Sequence, residues 1–247
     1  MEFAALSGSR LVPELWAAAF GDEYPAPLRV FSPTTWTDLR RVAQALALQP
    51  DQVLVDLGCG EGGPGLWLAA QAGARLIGVD FSRYALASAA RHASGYLPDG
   101  RAGFVRGTLT ATGLADASVD AVCSFYAFIF CTDKLAGLAE LRRIVRPGGR
   151  IALLVNEVLD PAEAGTSRVA DYRPLVREAR LDVLVHEEKT GARERMQRLY
   201  ALWLEHADEL RADVGEAAAG ALVAEATMVG PRLAAMREVL VVAQRPG

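Results

Sequence analysis

The sequence predicts an α/β fold: a seven-stranded, mostly parallel sheet with helices on both faces, and further helical segments before it and within its C-terminal part. Three observations carry this. Between Val53 and about Val155, short β-branched runs alternate with longer stretches of helical period, the pattern of parallel strands joined by crossover helices. The stretch DLGCGEGGPGLWLA, Asp56 to Ala69, sets a glycine-rich turn between an apolar strand and an apolar helix. A chain of 247 residues with 51% hydrophobic content can bury one sizeable core, alone or with an appended subdomain.

The first fifty residues read as helical around Leu15, Trp16, Ala19 and Phe20, are broken by the prolines of GDEYPAPL, and continue in a helix from Thr37 to Leu48. Strands follow at Val53 to Leu57, Leu76 to Asp80, Gly103 to Arg106, Val119 to Ser124 and Arg150 to Val155. Helices fill the gaps near Pro64 to Ala72, Arg83 to Ser94 and Lys134 to Val145, the last ended by Arg146-Pro147-Gly148-Gly149. A helix near Val169 to Arg180 and a strand at Asp182 to Glu188 come next, and a final strand lies at Glu238 to Ala243. The helical stretch between the last two strands puts Met196, Leu199, Tyr200, Trp203, Ala207, Leu210 and Val214 on one face, so it covers something. The chain therefore divides into an N-terminal helical lid, residues 1–50, and a domain over residues 51–247 with a helical insertion at about 190–236.

A formal charge of −4, with arginines spread through helices, makes nucleic acid a poor partner. Cys59, Cys123 and Cys131 form an odd set without metal-ligand spacing and read as reduced core residues. The start, MEFAALSGSR, lacks the features of a signal peptide, and no segment approaches the ~20 apolar residues that span a bilayer. A soluble, cytoplasmic protein with no membrane partner is expected.

Glycines at the end of a first strand let a ligand approach backbone N–H groups and a helix N-terminus. The dinucleotide spacing G-x-G-x-x-G is met from Gly58 only because Gly62 and Gly63 form a run, so spacing decides nothing. Charge is more informative. Glu61 beside two phosphates would cost on the order of a few kcal/mol per close pair at an effective dielectric of ~20. S-adenosylmethionine has adenosine but no phosphate, and its sulfonium and ammonium groups suit nearby acids such as Asp56 and Glu61. The second strand ends LIGVDFS, where Asp80 at the strand tip can accept both ribose hydroxyls. A helix N-cap from Asp80 or Ser82 is the alternative role.

The segments VLVDLGCGEGGPGLWLA from Val53, LIGVDFS from Leu76, FVRGTLTATGLADASVDAV from Phe104 and ELRRIVRPGGRIALL from Glu140 resemble class I S-adenosylmethionine-dependent methyltransferases. The resemblance is to small-molecule enzymes of the ubiquinone/menaquinone-biosynthesis type, common in bacterial natural-product pathways, and covers about Val53 to Val155. It implies a Rossmann-like sheet, S-adenosylmethionine as cofactor and S-adenosylhomocysteine as product. It also implies that Gly58, Cys59 and Gly60 pass along the methionine part, that Asp56 helps hold the ammonium group, that Asp80 binds the ribose and that Phe81 lies against adenine. Where the family usually has an acid after the third-strand glycine, this chain has Thr108 after Gly107. Its hydroxyl, or the backbone near Leu109, would then meet the adenine amino group, and a neutral acceptor is weaker than a charged one. The Asn/Asp-Pro-Pro-aromatic motif of DNA amino-methylating enzymes and the paired glutamates of protein arginine enzymes are absent where this chain reads SFYAF. A small-molecule acceptor is expected.

Methyl transfer is an in-line displacement, so the protein must hold a nucleophile ~3–3.5 Å from the methyl and exclude water. The segment after the fourth strand is expected beside the methionine end, Ser124 and Phe125 towards the cofactor, Tyr126 and Phe128 towards the acceptor. These aromatics, with Phe130, favour an aromatic or polyketide-like metabolite, methylated at O, N or C; core packing is the alternative for Phe128 and Phe130. Asn156, ending the fifth strand, and Tyr24 and Trp203, in the two candidate lids, complete the expected substrate contacts. His206, at helical steps from Leu199 and Trp203, is the candidate general base. The lids could equally pack on each other or form a homodimer contact. Asp133, Asn156 and Glu157 resemble acids with which some oxygen methyltransferases hold a metal, but their spacing supports no site and no metal is expected. Two other chemistries stay open: an S-adenosylmethionine-binding enzyme of the same fold catalysing cyclisation, decarboxylation or hydroxylation, and a nicotinamide-dependent oxidoreductase, against which Glu61 argues.

Overall fold

Strands β1 (Val53–Leu57), β2 (Arg75–Asp80), β3 (Ala102–Arg106), β4 (Val119–Phe125), β5 (Val145–Val158), β6 (Asp182–Glu188) and β7 (Met236–Gln244) form one sheet in a computed structural model. Their order is β3-β2-β1-β4-β5-β7-β6. The first five are mutually parallel, and β7 lies antiparallel between β5 and β6. The structure describes residues 3–165 and 168–247, so the first two residues of the expected lid lie outside the described residues.

Strand side chains alternate between two apolar clusters, one on each face. Leu54, Leu76, Ala121 and Leu154 meet helices α2 (Leu11–Phe20), α3 (Trp36–Leu46), α4 (Gly63–Ala72), α8 (Ala192–Glu205) and α9 (Ala207–Val229). Val55, Val79, Val122 and Leu153 meet α6 (Lys134–Ile144) and α7 (Tyr172–Glu178) on the other. The remaining helices are α1 (Phe3–Ser7) and α5 (Arg83–His92), the latter packed along β2 and β3.

The N-terminal helices and the insertion form one layer. Helix α2 packs on α8, and α1 on α9. Trp16 meets Trp203 edge-on with ring centroids 6.0 Å apart, and stacks on Tyr24 at 6.2 Å. Burying each of these large side chains contributes roughly 1.5–3 kcal/mol. Helix α3 starts at a capping box: the Thr35 hydroxyl accepts the Asp38 N–H, and the Asp38 carboxylate accepts the Thr35 N–H.

Several element boundaries differ from the sequence reading, and three departures matter most. The residues Arg146–Gly149 follow α6 as a bulge inside β5, where Val119 pairs with Val145 but Ala121 pairs with Arg150. The apolar stripe from Met196 to Val214 belongs to two helices, because His206 leaves helical geometry at ψ 26°. Gly215, at φ 82°, breaks α9 again. Among the described residues no helix is long and apolar enough to cross a membrane.

Candidate functional site

The sheet order reverses beside β1, and the glycine-rich loop sits at its carboxyl end, where open α/β sheets offer a crevice. Gly58 turns the chain at φ 72°, and a Cβ there would lie 2.1 Å from the Ala127 Cβ. The N–H groups of Gly58 and Cys59 donate to the Val79 carbonyl at 2.7 and 3.1 Å. Gly60 N–H donates to Asp80 Oδ2 at 3.0 Å, and Ser82 N–H to Asp80 Oδ1 at 2.8 Å. Helix α5 is capped by Ser82, whose hydroxyl accepts the Ala85 N–H. Each Asp80 oxygen thus takes one backbone proton and keeps further acceptor capacity.

A cavity of about 290 Å³ opens at the ends of β1, β2 and β3, lined by Gly58, Asp80, Phe81, Thr108, Leu109 and Phe130 among others. Phe81 is 67% exposed at its mouth. No lysine or arginine lines it among the described residues. This donor set fits a nucleoside without phosphates: a carboxylate for vicinal hydroxyls, a ring face for a base, and no cation to offset a pyrophosphate beside Asp80.

The remaining expected cofactor contacts are placed elsewhere. Asp56 is buried beneath α4, its Oδ2 accepting the Gly65 N–H at 3.1 Å. Burial above all, with the Asp80 charge adding to it against the Gly65 N–H, pushes its pKa up to about 7. It anchors the helix and is not among the residues lining the cavity, whereas an ammonium contact is what the sequence reading expects of it. The Cys59 thiol is buried against the Gly60 carbonyl, and burial pushes its pKa up, so it stays protonated. Ser124 and Phe125, also expected beside the cofactor, are not among the residues lining either cavity: the Ser124 hydroxyl donates to the Leu57 carbonyl at 2.8 Å, and Phe125 packs into the core. Glu61, expected to face the ligand, turns to the N-terminal helices: Oε1 accepts the Ser7 hydroxyl at 2.5 Å and Oε2 lies 3.3 Å from Arg29 Nε.

A larger cavity, about 550 Å³, lies between the sheet and the helical layer. Phe130, 76% exposed, lines both cavities, which therefore adjoin. Its polar floor includes Tyr126, Asn156, Lys189 and Glu238. Lys189 Nζ lies 2.9 Å from Asp38 Oδ2, 2.8 Å from Glu238 Oε2 and 2.9 Å from the Pro33 carbonyl, and also meets the Tyr126 hydroxyl. The Tyr126 hydroxyl donates to Glu238. Tyr126 holds φ 59°, an uncommon left-handed value for a bulky residue. Burial, with Glu238 beside it, pushes its pKa far up, so it remains a phenol. Asn156 Oδ1 is buried without a hydrogen-bond partner among the described residues, and the Tyr200 hydroxyl donates to Glu225 Oε1 at 2.9 Å.

Four expected substrate-side residues lie outside both cavities. Tyr24 stacks in the core and donates to the Val30 carbonyl, and burial has its pKa pushed up to about 12. Phe128 is buried against Tyr172, and Trp203 between Trp16 and Tyr200. In all three the ring fills a junction between elements. His206, the expected base, ends α8 with Nδ1 3.7 Å from Glu209 and lines neither cavity, because the break there turns it from the buried stripe. Asp133 caps α6. Glu157, Asp171 and His186 bring ligand atoms within 4.8 Å of one another; Glu157 Oε1 meets His186 Nε2 at 2.8 Å and its Oε2 pairs with Arg237 Nη2 at 2.7 Å. Lys189, Glu225 and Glu238 were not singled out by the sequence reading. Their only signal is that Lys189 follows β6 and Glu238 lies near the start of β7, neighbouring strands whose ends meet.

Residues 55–153 match a family model described as a methyltransferase domain. The 24-methylenesterol C-methyltransferase 2 of Oryza sativa subsp. japonica is 30% identical over 134 residues, covering 54% of this chain and 37% of that protein. The methyltransferase GfsG of Streptomyces halstedii is 30% identical over 147 residues, covering 53% of each. The chain thus spans about half, or less, of the length of these curated relatives. The solved structure of the cyclopropane synthase MmaA2 from Mycobacterium tuberculosis superposes with a TM-score of 0.73 at 14% identity, covering 99% of both chains, which shows a shared fold.

Proposed function

We propose that this chain, whose residues 55–153 are a class I S-adenosylmethionine-dependent methyltransferase domain, binds S-adenosylmethionine in the smaller cavity and methylates a small molecule held in the larger one. The observation that carries this reading is the junction of the two cavities at Phe130, beside an adenosine-fitting set of Asp80 and Phe81. Asp80 takes the ribose hydroxyls, Phe81 lies on the adenine, and the Thr108 hydroxyl or the Leu109 backbone meets the adenine edge. Gly58 and Gly60 leave the methionine portion room along the loop. The bound cofactor supplies an electrophilic methyl group, attacked in line by O, N or C of the acceptor. Residues 1–50 and the insertion at about 190–236 act as the lid, and Tyr126 and Asn156 face the acceptor. Their enclosure excludes water from the displacement.

Incubation with S-adenosylmethionine and a panel of aromatic and polyketide-like metabolites tests the reading by mass spectrometry. Stoichiometric S-adenosylhomocysteine and a product heavier by one methylene are expected. Conversion of an acceptor without S-adenosylhomocysteine release would instead support a non-methylating enzyme of the same fold.

A further inference from the structure

Methylating a hydroxyl leaves a proton that some group must accept. Four carboxylates line the larger cavity among the described residues: Glu188, Glu194, Glu225 and Glu238. Glu188 and Glu194 are exposed to solvent. Glu225 belongs to α9 in the helical layer and accepts the Tyr200 hydroxyl. Glu238 differs in place and in support. It lies opposite Asn156 in the β5–β7 register, at the end of the sheet where β4 runs into Tyr126. Its Oε2 accepts the Tyr126 hydroxyl and lies 2.8 Å from Lys189 Nζ. Its Oε1 accepts no hydrogen bond among the described residues and, unlike Asn156 Oδ1, is not sealed from the surface. One oxygen is fixed and the other is open. Tyr126 also ties this carboxylate to the glycine-rich loop, because the next residue, Ala127, places its Cβ where a Gly58 side chain would sit.

We propose that Glu238 is the general base of the transfer, accepting through Oε1 the proton of an acceptor hydroxyl, and that Tyr126 and Lys189 are positioning residues that hold its Oε2. The inference rests on the larger cavity being the acceptor site. In the step, a lone pair of the acceptor oxygen forms a bond to the methyl carbon, and the carbon–sulfur bond breaks with its electron pair left on sulfur. The hydroxyl proton moves to Glu238, which becomes a neutral acid and returns the proton to water once the product leaves. Tyr126 acts through position alone, since burial beside Glu238 pushes its pKa far up and it keeps its own proton.

The test uses two probes that share one bicyclic body: 2-naphthol, a hydroxyl that is neutral at neutral pH, and 2-naphthalenethiol, an aryl thiol that ionises readily and reacts without a base. Initial rates of methylation by the full chain are measured at neutral pH with saturating S-adenosylmethionine, above the protein-free reaction. Wild type is expected to methylate both. Glu238→Gln should slow 2-naphthol at least about 100-fold and leave the thiol within about threefold, a split that a merely structural loss does not produce. Raising the pH towards the ionisation of 2-naphthol itself should restore the lost rate in this variant. Tyr126→Phe, an independent arm, should slow 2-naphthol about tenfold with the thiol again unchanged. Thermal melts verify that both variants fold. A wild type that methylates only the thiol, an equal effect of Glu238→Gln on both probes, or the selective loss appearing in Glu225→Gln instead overturns the inference and leaves the methyltransferase reading standing. Methylation of neither probe by wild type counts against that reading and takes the inference with it.

Discussion

Asp80 Oδ2 accepts the Gly60 N–H at 3.0 Å, so the carboxylate expected to hold a ribose also fixes the loop beside it. Asp80→Asn keeps an acceptor oxygen but loses the charge. Charge-assisted hydrogen bonds contribute about 1.5–3 kcal/mol, so S-adenosylhomocysteine affinity should fall roughly 10- to 100-fold by calorimetry. Wild-type affinity in this variant would remove Asp80 from the ribose site.

Lys189 neutralises two acids at once, Asp38 and Glu238, and is 6% exposed. Lys189→Met leaves both carboxylates buried without their cation. Such a loss costs about 3–5 kcal/mol, which urea denaturation would read as a lower midpoint at constant slope. A change under about 1 kcal/mol would mean that water reaches and solvates the pair.

Asp56 makes stability depend on pH. Its ordinary pKa of 3.8 rises to about 7 on folding, so between these values the folded chain keeps a proton that the unfolded chain releases. Its contribution is complete below pH ~4 and declines as pH rises to ~7, by at most ~4 kcal/mol. Asp56→Asn keeps an acceptor for the Gly65 N–H and removes the titration. The variant should gain stability relative to wild type from pH 4 to pH 8, followed by denaturation at each pH. Parallel curves would show that Asp56 is ionised in the folded protein throughout.

His206 lies outside both cavities. His206→Ala should leave stability within about 0.5 kcal/mol and methyl-transfer turnover within about twofold. A tenfold loss of turnover in a stable variant would restore the histidine to the reaction.

The strands and the loop were legible because each is encoded by a contiguous run: β-branched residues for strands, and glycine after Leu57 for the turn. Part of the misplacement was also legible. Period-two alternation puts Asp56 on the face of Leu54, under α4, rather than at the strand tip where Asp80 sits. The larger cavity was not legible in this way. Tyr126, Lys189, Glu225 and Glu238 come from four elements, and only tertiary packing brings Lys189 between Asp38 and Glu238. The amphipathic stripe ending at Val214 gave no hint that His206 would interrupt it, because the break is a backbone angle rather than a change of residue type.

Competitive calorimetry with S-adenosylhomocysteine and NADH addresses the central claim, that the cavity at Asp80 and Phe81 takes an adenosine without phosphates. One S-adenosylhomocysteine per chain and no displacement by NADH is the predicted result. Saturable NADH binding by a protein indifferent to S-adenosylhomocysteine would contradict it.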